Sequence, residues 1–218
     1  MPSVALRCKR PLGTRLFGRY RFLLSFVRGP SGPRAPGYAL RAKSLAKNLL
    51  PLRLVNSPLC MDLLLYAPEY RPNMSSMIRS AEFFGFKRIY IYDKNNLLTP
   101  PDNKKGRANM EHMARVWTAG AVNHIEIIQL EDALDFLQNY AGRKVGTLVN
   151  EQAQHLNAFS WQAEDLILFG SEKDGLPEEV IQVLDATVYI PSFGQTDCLN
   201  VAVSFGIVVE KAMQHHQS

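Results

Sequence analysis

Apolar residues along this chain fall into short runs divided by polar loops bearing glycine and proline, and between the runs the spacing turns helical. Met61 to Tyr66, Arg88 to Tyr92, Ile125 to Ile128, Val145 to Val149, Leu166 to Phe169 and Thr187 to Ile190 read as strands. The continuous apolar run Leu166-Ile167-Leu168-Phe169 suits a central strand of a parallel sheet covered on both faces. Met74, Met77, Ile78, Ala81 and Phe84 share one face of a helix for which Asn73 is a natural N-cap and Gly85 a stop. Further helices are predicted through Met110 to Trp117, over Glu131 to Tyr140, after Pro177, and from Leu199 onward. In the last of these Val201, Ala202, Val203, Phe205, Ile207, Val208 and Val209 leave little polar face, which predicts a buried helix. Strands alternating with helices predict an α/β domain with a parallel sheet and helices on both faces.

Two strand ends carry loops shaped for a ligand. After Phe169, Gly170 and Gly175 bracket Ser171-Glu172-Lys173-Asp174, and glycines at a strand end permit positive φ and close backbone approach. Pro177, Glu178 and Glu179 then suit the first turn and the positive dipole end of a helix. The other loop follows Ile190, where Pro191 cannot donate to a sheet ladder, and runs to Cys198.

Charge divides the chain. Residues 1–60 carry twelve Lys or Arg and no Asp or Glu, whereas the remainder carries thirteen basic and twenty acidic residues, a net of −7. Leu12, Leu16, Tyr20, Leu23 and Val27 recur at helical spacing with Arg15 and Arg19 on one side, as in a mitochondrial transit peptide. A cleavable presequence is the first expectation; the competing reading is a retained basic arm on RNA phosphates, for which the low serine content of the segment is a point in favour. Residues 29–37, rich in Gly and Pro, read as a linker, which divides the chain into a basic presequence and linker (1–37), a basic connecting segment (38–60) and the α/β domain (61–218). No apolar run reaches the length of a membrane span. Cys8, Cys60 and Cys198 are widely separated and lack C-x-x-C spacing, so neither a disulfide framework nor a cysteine-only zinc site is predicted. His112, His124, His215 and His216 have no metal-ligand spacing with them.

Three blocks, in order, carry a resemblance. P-E-Y-R-P-N-M-S-S-M-I-R-S-A-E-F-F-G-F, G-S-E-K-D-G-L and I-P-S-F-G-Q-T-D-C-L-N-V-A resemble the three motifs of the SpoU/TrmH branch of SPOUT methyltransferases, over roughly Met61 to Met213. The resemblance implies a parallel-sheet SPOUT fold with a C-terminal trefoil knot and a homodimer. It also implies S-adenosylmethionine-dependent methylation of ribose 2′-hydroxyls in tRNA or rRNA, with no metal and no membrane.

The same resemblance implies the site. Arg79 matches the catalytic arginine, and because a guanidinium stays protonated its expected work is to clamp phosphate and stabilise developing alkoxide charge. Without the motif Arg79 reads as a surface residue of an amphipathic helix. Asn73, Glu172, Asn200 and Cys198 complete the catalytic set. Asn73 and Asn200 also suit helix starts, and Glu172 suits capping of a neighbouring amide. Cys198 departs from the family, which mostly carries serine there, and a thiol is the poorer hydrogen-bonding group. Ser75 stands where many relatives have glycine. Cofactor contacts are implied at Leu148, Val149, Gly170, Ile190 and Leu199, with Gly175 shaping its loop; Ile190 and Leu199 are otherwise ordinary core residues. Lys104, Lys105, Arg107 and Arg115 form the one basic cluster of the acidic domain, either tracking RNA phosphates or simply solvated. In relatives the first and third motifs help form the dimer and the arginine can enter the partner's site. Two other functions remain open: a SPOUT-fold RNA-binding or assembly protein of little or no activity, and methylation of a base nitrogen.

Overall fold

The computed structural model describes residues 61–196 and 198–217, with side chains through Gln214, so the expectations for residues 1–60 lie outside the described residues. Seven strands, β1 (Asp62–Tyr66), β2 (Arg88–Tyr92), β3 (Glu126–Leu130), β4 (Lys144–Thr147), β5 (Gln154–His155), β6 (Leu166–Phe169) and β7 (Ala186–Tyr189), pair in parallel throughout in the order β3-β2-β1-β6-β4-β7-β5. Among the described residues five α-helices accompany them: α1 (Arg71–Phe83), α2 (Lys104–Trp117), α3 (Ala133–Asn139), α4 (Glu178–Ile181) and α5 (Val201–Gln217).

The two-residue period of a strand sorts the core onto two faces. Leu63 and Leu65 join Met74, Met77, Ile78 and Ala81 of α1 and Phe205, Val208, Val209 and Ala212 of α5. Leu64 turns the other way, into a smaller cluster with Leu166, Leu168, Leu137 of α3 and Val180 of α4. Each fully buried leucine contributes about 1.5–3 kcal/mol, and β1 and β6 both send fully buried residues into the two clusters in alternation.

Several expected boundaries move, each for a local reason. α1 starts at Arg71, because Pro72 fits the first turn, where its fixed φ and missing N–H do no harm. The N-cap position falls to Tyr70, which gives no side-chain bond, so Asn73 is not the cap. α2 starts at Lys104 rather than Met110, because the Asn103 side chain accepts from the Gly106 N–H at 2.6 Å. α5 starts at Val201 rather than Leu199: Asn200 Oδ1 accepts from the Ala202 N–H at 2.8 Å and so caps it. β4 ends at Thr147, leaving Leu148 and Val149 in the loop beyond, and Ile190 lies just past β7. The two-residue edge strand β5 was not predicted.

The expectation of a buried α5 is corrected. Its Phe205, Val208, Val209 and Ala212 are buried, but Val203 and Ile207 remain 51% and 36% exposed. A helix laid on one face of a sheet covers only the stripe that meets the sheet and its neighbour, here α1, and among the described residues nothing covers Val203 and Ile207.

The amino-terminal edge of the sheet is held by charge. Buried Asp62 accepts from Arg88 Nε at 2.6 Å and from the Tyr140 hydroxyl at 2.9 Å. Buried Asp165 takes a two-pronged bond from Arg143, Nε to Oδ1 at 2.8 Å and Nη2 to Oδ2 at 2.7 Å, and also accepts from the Gln162 N–H. Burial, then the nearby Asp62 carboxylate, push the Tyr140 phenol well up, so it stays a neutral donor. These pairs lie at the opposite end of the strands from the loops that carry the candidate chemistry.

Candidate functional site

The loops at the carboxyl ends of β1, β6 and β7 meet around one carboxylate. Glu172, in the loop after β6, accepts from the backbone N–H of Glu69 at 2.7 Å and of Tyr70 at 3.4 Å, and from Asn73 Nδ2 at 3.0 Å. Asn73 Oδ1 in turn accepts from Asn200 Nδ2 at 3.2 Å. Residues 99 and 127 positions apart are thereby joined in one relay. Asn73 stands in the first turn of α1, where the amide projects toward the neighbouring loops, and Asn200 serves as cap and relay member together.

Local backbone geometry makes this possible. Gly170 and Gly175 close the Glu172 loop, with Ser171 and Gly175 exchanging N–H···O bonds of 3.0 and 3.2 Å. A Cβ on Gly170 would lie 2.2 Å from the Gly175 carbonyl carbon, and Gly175 has φ +67°, so both positions need glycine. At the end of β1, Ala67 is held at φ +49°, with its N–H on the Tyr92 carbonyl and its own carbonyl accepting from Asn95 Nδ2 at 3.3 Å. A non-glycine residue in that region is strained, and here the strain turns the chain sharply from β1 into the start of α1.

Tyr70, Pro72, Asn73, Glu172, Cys198, Leu199, Asn200 and Val201 line an open cleft of about 450 Å³. Cys198 is a free, exposed thiol on its wall. Four of the five expected catalytic residues, Asn73, Glu172, Cys198 and Asn200, are thus brought together. Arg79 is not among them. It is exposed on α1, six residues beyond Asn73, about 9 Å along the axis and well round the helix. There it lines a separate shallow hollow of about 190 Å³ with Ser80, Glu82, Phe83, Thr118 and Ala119.

The residues expected to hold the cofactor gather at the carboxyl edge of three adjacent strands. β4 lies between β6 and β7, with Gly146 opposite both Leu168 and Thr187, so Leu148, Gly170 and Ile190 follow strand ends that are nearly level. Crevices outside such ends are where open parallel sheets bind ligands. Val149 is 79% exposed and Leu199 48%, while Leu148 and Ile190 are half-buried. Uncovered apolar side chains at a sheet end fit an adenosyl group, whose flat ring would cover them.

Tyr70 and Pro72 on the cleft wall lie inside the first motif, next to Asn73, and were legible there although not singled out. Asn95, which bonds the Ala67 and Pro68 carbonyls at 3.3 and 3.0 Å, left no signal, since its role depends on β2 ending beside β1.

The model of the SpoU rRNA Methylase family matches residues 61–210. A tRNA (guanosine(18)-2′-O)-methyltransferase of Aquifex aeolicus (strain VF5) is 22% identical over 178 residues, 79% of each chain. A 23S rRNA (guanosine-2′-O-)-methyltransferase RlmB of Acinetobacter baylyi (strain ATCC 33305 / BD413 / ADP1) is 27% identical over 142 residues, 64% of this chain and only about half (54%) of the relative. Among solved structures, the A. aeolicus TrmH/SpoU tRNA modifying enzyme superposes with a TM-score of 0.62 at 17% identity, over 73% of this chain and 76% of that one. An AdoMet-bound rRNA methyltransferase from Sinorhizobium meliloti gives 0.58 at 24% identity, over 71% and 56%. At these identities the superpositions establish the fold.

Proposed function

The chain belongs to the SpoU rRNA Methylase family, and from that membership we propose that it is an S-adenosylmethionine-dependent RNA methyltransferase acting on a ribose 2′-hydroxyl of tRNA or rRNA. The observation that carries this reading is the relay Asn200–Asn73–Glu172, which draws the three motif loops into one cleft. When bound, the cofactor supplies an activated sulfonium methyl group. The protein has to hold the RNA so that the hydroxyl lies in line, and to stabilise the charge that develops as its proton leaves.

Arg79 is the group with the chemistry for that charge, and it clamps the adjacent phosphate. Glu172, bonded to two backbone N–H groups and to Asn73, sets the geometry of the wall. Leu148, Val149, Ile190 and Leu199 offer the apolar surface for the adenosyl group, with Gly170 and Gly175 holding the loop beside it. Because Arg79 stands off the cleft of its own subunit, the reading includes a homodimer in which it completes the partner's site. Exposed Phe83 on α1 and Leu199, Val203 and Ile207 near or on α5 supply apolar surface for that pairing. A C-terminal trefoil knot and a mitochondrial presequence in residues 1–37 belong to the same proposal, and import of a fluorescent protein fused to those residues tests the second.

Cys198 on the cleft wall favours one other reading, an RNA-binding or assembly protein of little activity. Incubating the full chain with methyl-labelled cofactor and tRNA or rRNA, then digesting to nucleosides for mass spectrometry, separates the cases. Ribose-methylated nucleosides are expected. Base-methylated products would move the reaction to a ring nitrogen, and RNA binding without transfer would favour the assembly protein.

A further inference from the structure

Helix α2 is at odds with its own surroundings. None of its residues is buried, and its first turn holds Lys104, Lys105 and Arg107 with no acidic residue, so three cations sit at the positive end of the helix dipole. Electrostatics within the helix disfavours that placement. Among the described residues none of these three, nor Arg115, forms a salt bridge, in contrast to Arg88, Arg143 and Lys144. Outside α2, residues 61–218 carry nine basic and nineteen acidic side chains. A helix with four cations and one carboxylate, Glu111, whose cations form no ion pair among the described residues, is charge-complementary to a polyanion.

Its faces are sorted accordingly. Gly106, Met110, Met113 and Ala114 are half-buried and turn toward the body. At 100° per residue, Lys104 and Arg115 project together from the opposite side, about 16 Å apart along the axis, with Glu111 between them. The residues that directly follow α2, Thr118 and Ala119, share a hollow with Arg79. The ridge therefore ends beside the arginine assigned to the phosphate next to the methylated ribose.

We propose that α2 is an RNA-binding surface, on which Lys104 and Lys105 at one end and Arg115 at the other contact separate phosphates along the strand flanking the target nucleotide, with Arg107, whose Nη1 already donates to the Asp102 carbonyl, assisting. This rests on the methyltransferase reading for the identity of the strand, but not for the charge. Contacts of this kind position RNA without reading its bases.

The test uses the full chain, so that residues 1–60 contribute equally throughout. In the variant Lys104→Gln/Lys105→Gln/Arg115→Gln, KM for a tRNA or rRNA transcript rises about tenfold or more and kcat changes little. The slope of log KM against log salt concentration falls by about 1 for each contact removed. Glu111→Lys, which adds a cation to the same ridge, lowers KM and steepens the slope. Unchanged KM and slope in both variants would overturn the proposal and leave α2 merely solvated or committed to another protein. If the wild type transfers no methyl group, the functional reading fails by itself, and the salt dependence of RNA retention on filters still decides the role of α2.

Discussion

At the scale of single residues, the dual role of Asn200 allows cap and relay to be separated. Asn200→Ala removes Oδ1 from the Ala202 N–H and should cost about 1 kcal/mol of stability, the ordinary value of a helix cap. Asn200→Asp keeps that acceptor but sets an oxygen where Nδ2 meets Asn73 Oδ1. Chemical denaturation should find Asn200→Asp close to the wild type, while methyl transfer falls in both variants. Equal losses of stability and activity across the two would reduce Asn200 to a cap. Cys198 lies on the same wall without a bond that depends on it, so Cys198→Ser should hold or raise turnover; abolished transfer would show the thiol to be required.

Elements depend on contacts that sequence shows unevenly. β1, β6 and the core face of α1 were legible, because a continuous apolar run and an i, i+3, i+4 pattern each have one favourable burial. The start of α2 was not, since its turn Lys104-Lys105-Gly106-Arg107 is polar and the deciding Asn103 cap is a single bond. The outer stripe of α5 misled for a different reason: apolar residues all round a helix signal burial, but not whether the cover comes from the same chain. Of the site, the three loops were readable as motifs, whereas the bond from Asn73 to Glu172 and the distance of Arg79 from both follow from helix phase and strand order.

The amino-edge pairs carry stability predictions at this scale. Asp165→Ala leaves Arg143, which is 23% exposed, with only the Ser160 carbonyl and takes the acceptor from the Gln162 N–H, and should cost about 1–3 kcal/mol, the usual loss when buried polar partners are removed. Asp185, beside β4, governs part of the acid limb. Burial alone would raise its carboxyl, but the Lys144 backbone N–H at 2.7 Å, then the Lys144 side chain, outweigh burial and hold it below the ordinary 3.8. A group lowered on folding stabilises fully above its unfolded value, and that contribution disappears as pH falls through the folded one. Asp185→Asn should therefore flatten the loss of stability below about pH 4, read as denaturation midpoints across pH, and an unchanged acid limb would remove Asp185 from the account.

For the whole molecule the open question is which cleft Arg79 serves. Its own cleft is lined by Tyr70, Pro72, Asn73, Glu172 and residues 198–201, and α1 carries the arginine nearly two turns away on an outward face beside Phe83, which is 80% exposed. Exposed Phe83 beside it, and the exposed Val203 and Ile207 of α5, are apolar groups that a second copy would bury. If the pairing is isologous, each site combines one subunit's cleft with the other's Arg79. Arg79→Ala and Asn200→Asp should then each abolish most transfer, by about 10²–10³-fold for the arginine, while each still forms dimers. Mixing them after subunit exchange places an intact cleft opposite an intact arginine in every mixed dimer, restoring about a quarter of wild-type activity from random pairing. An arginine acting within its own subunit would give no recovery. Val203→Lys/Ile207→Lys, which sets charge at those exposed positions of α5, should yield monomers by sedimentation and lose transfer even though every site residue is intact.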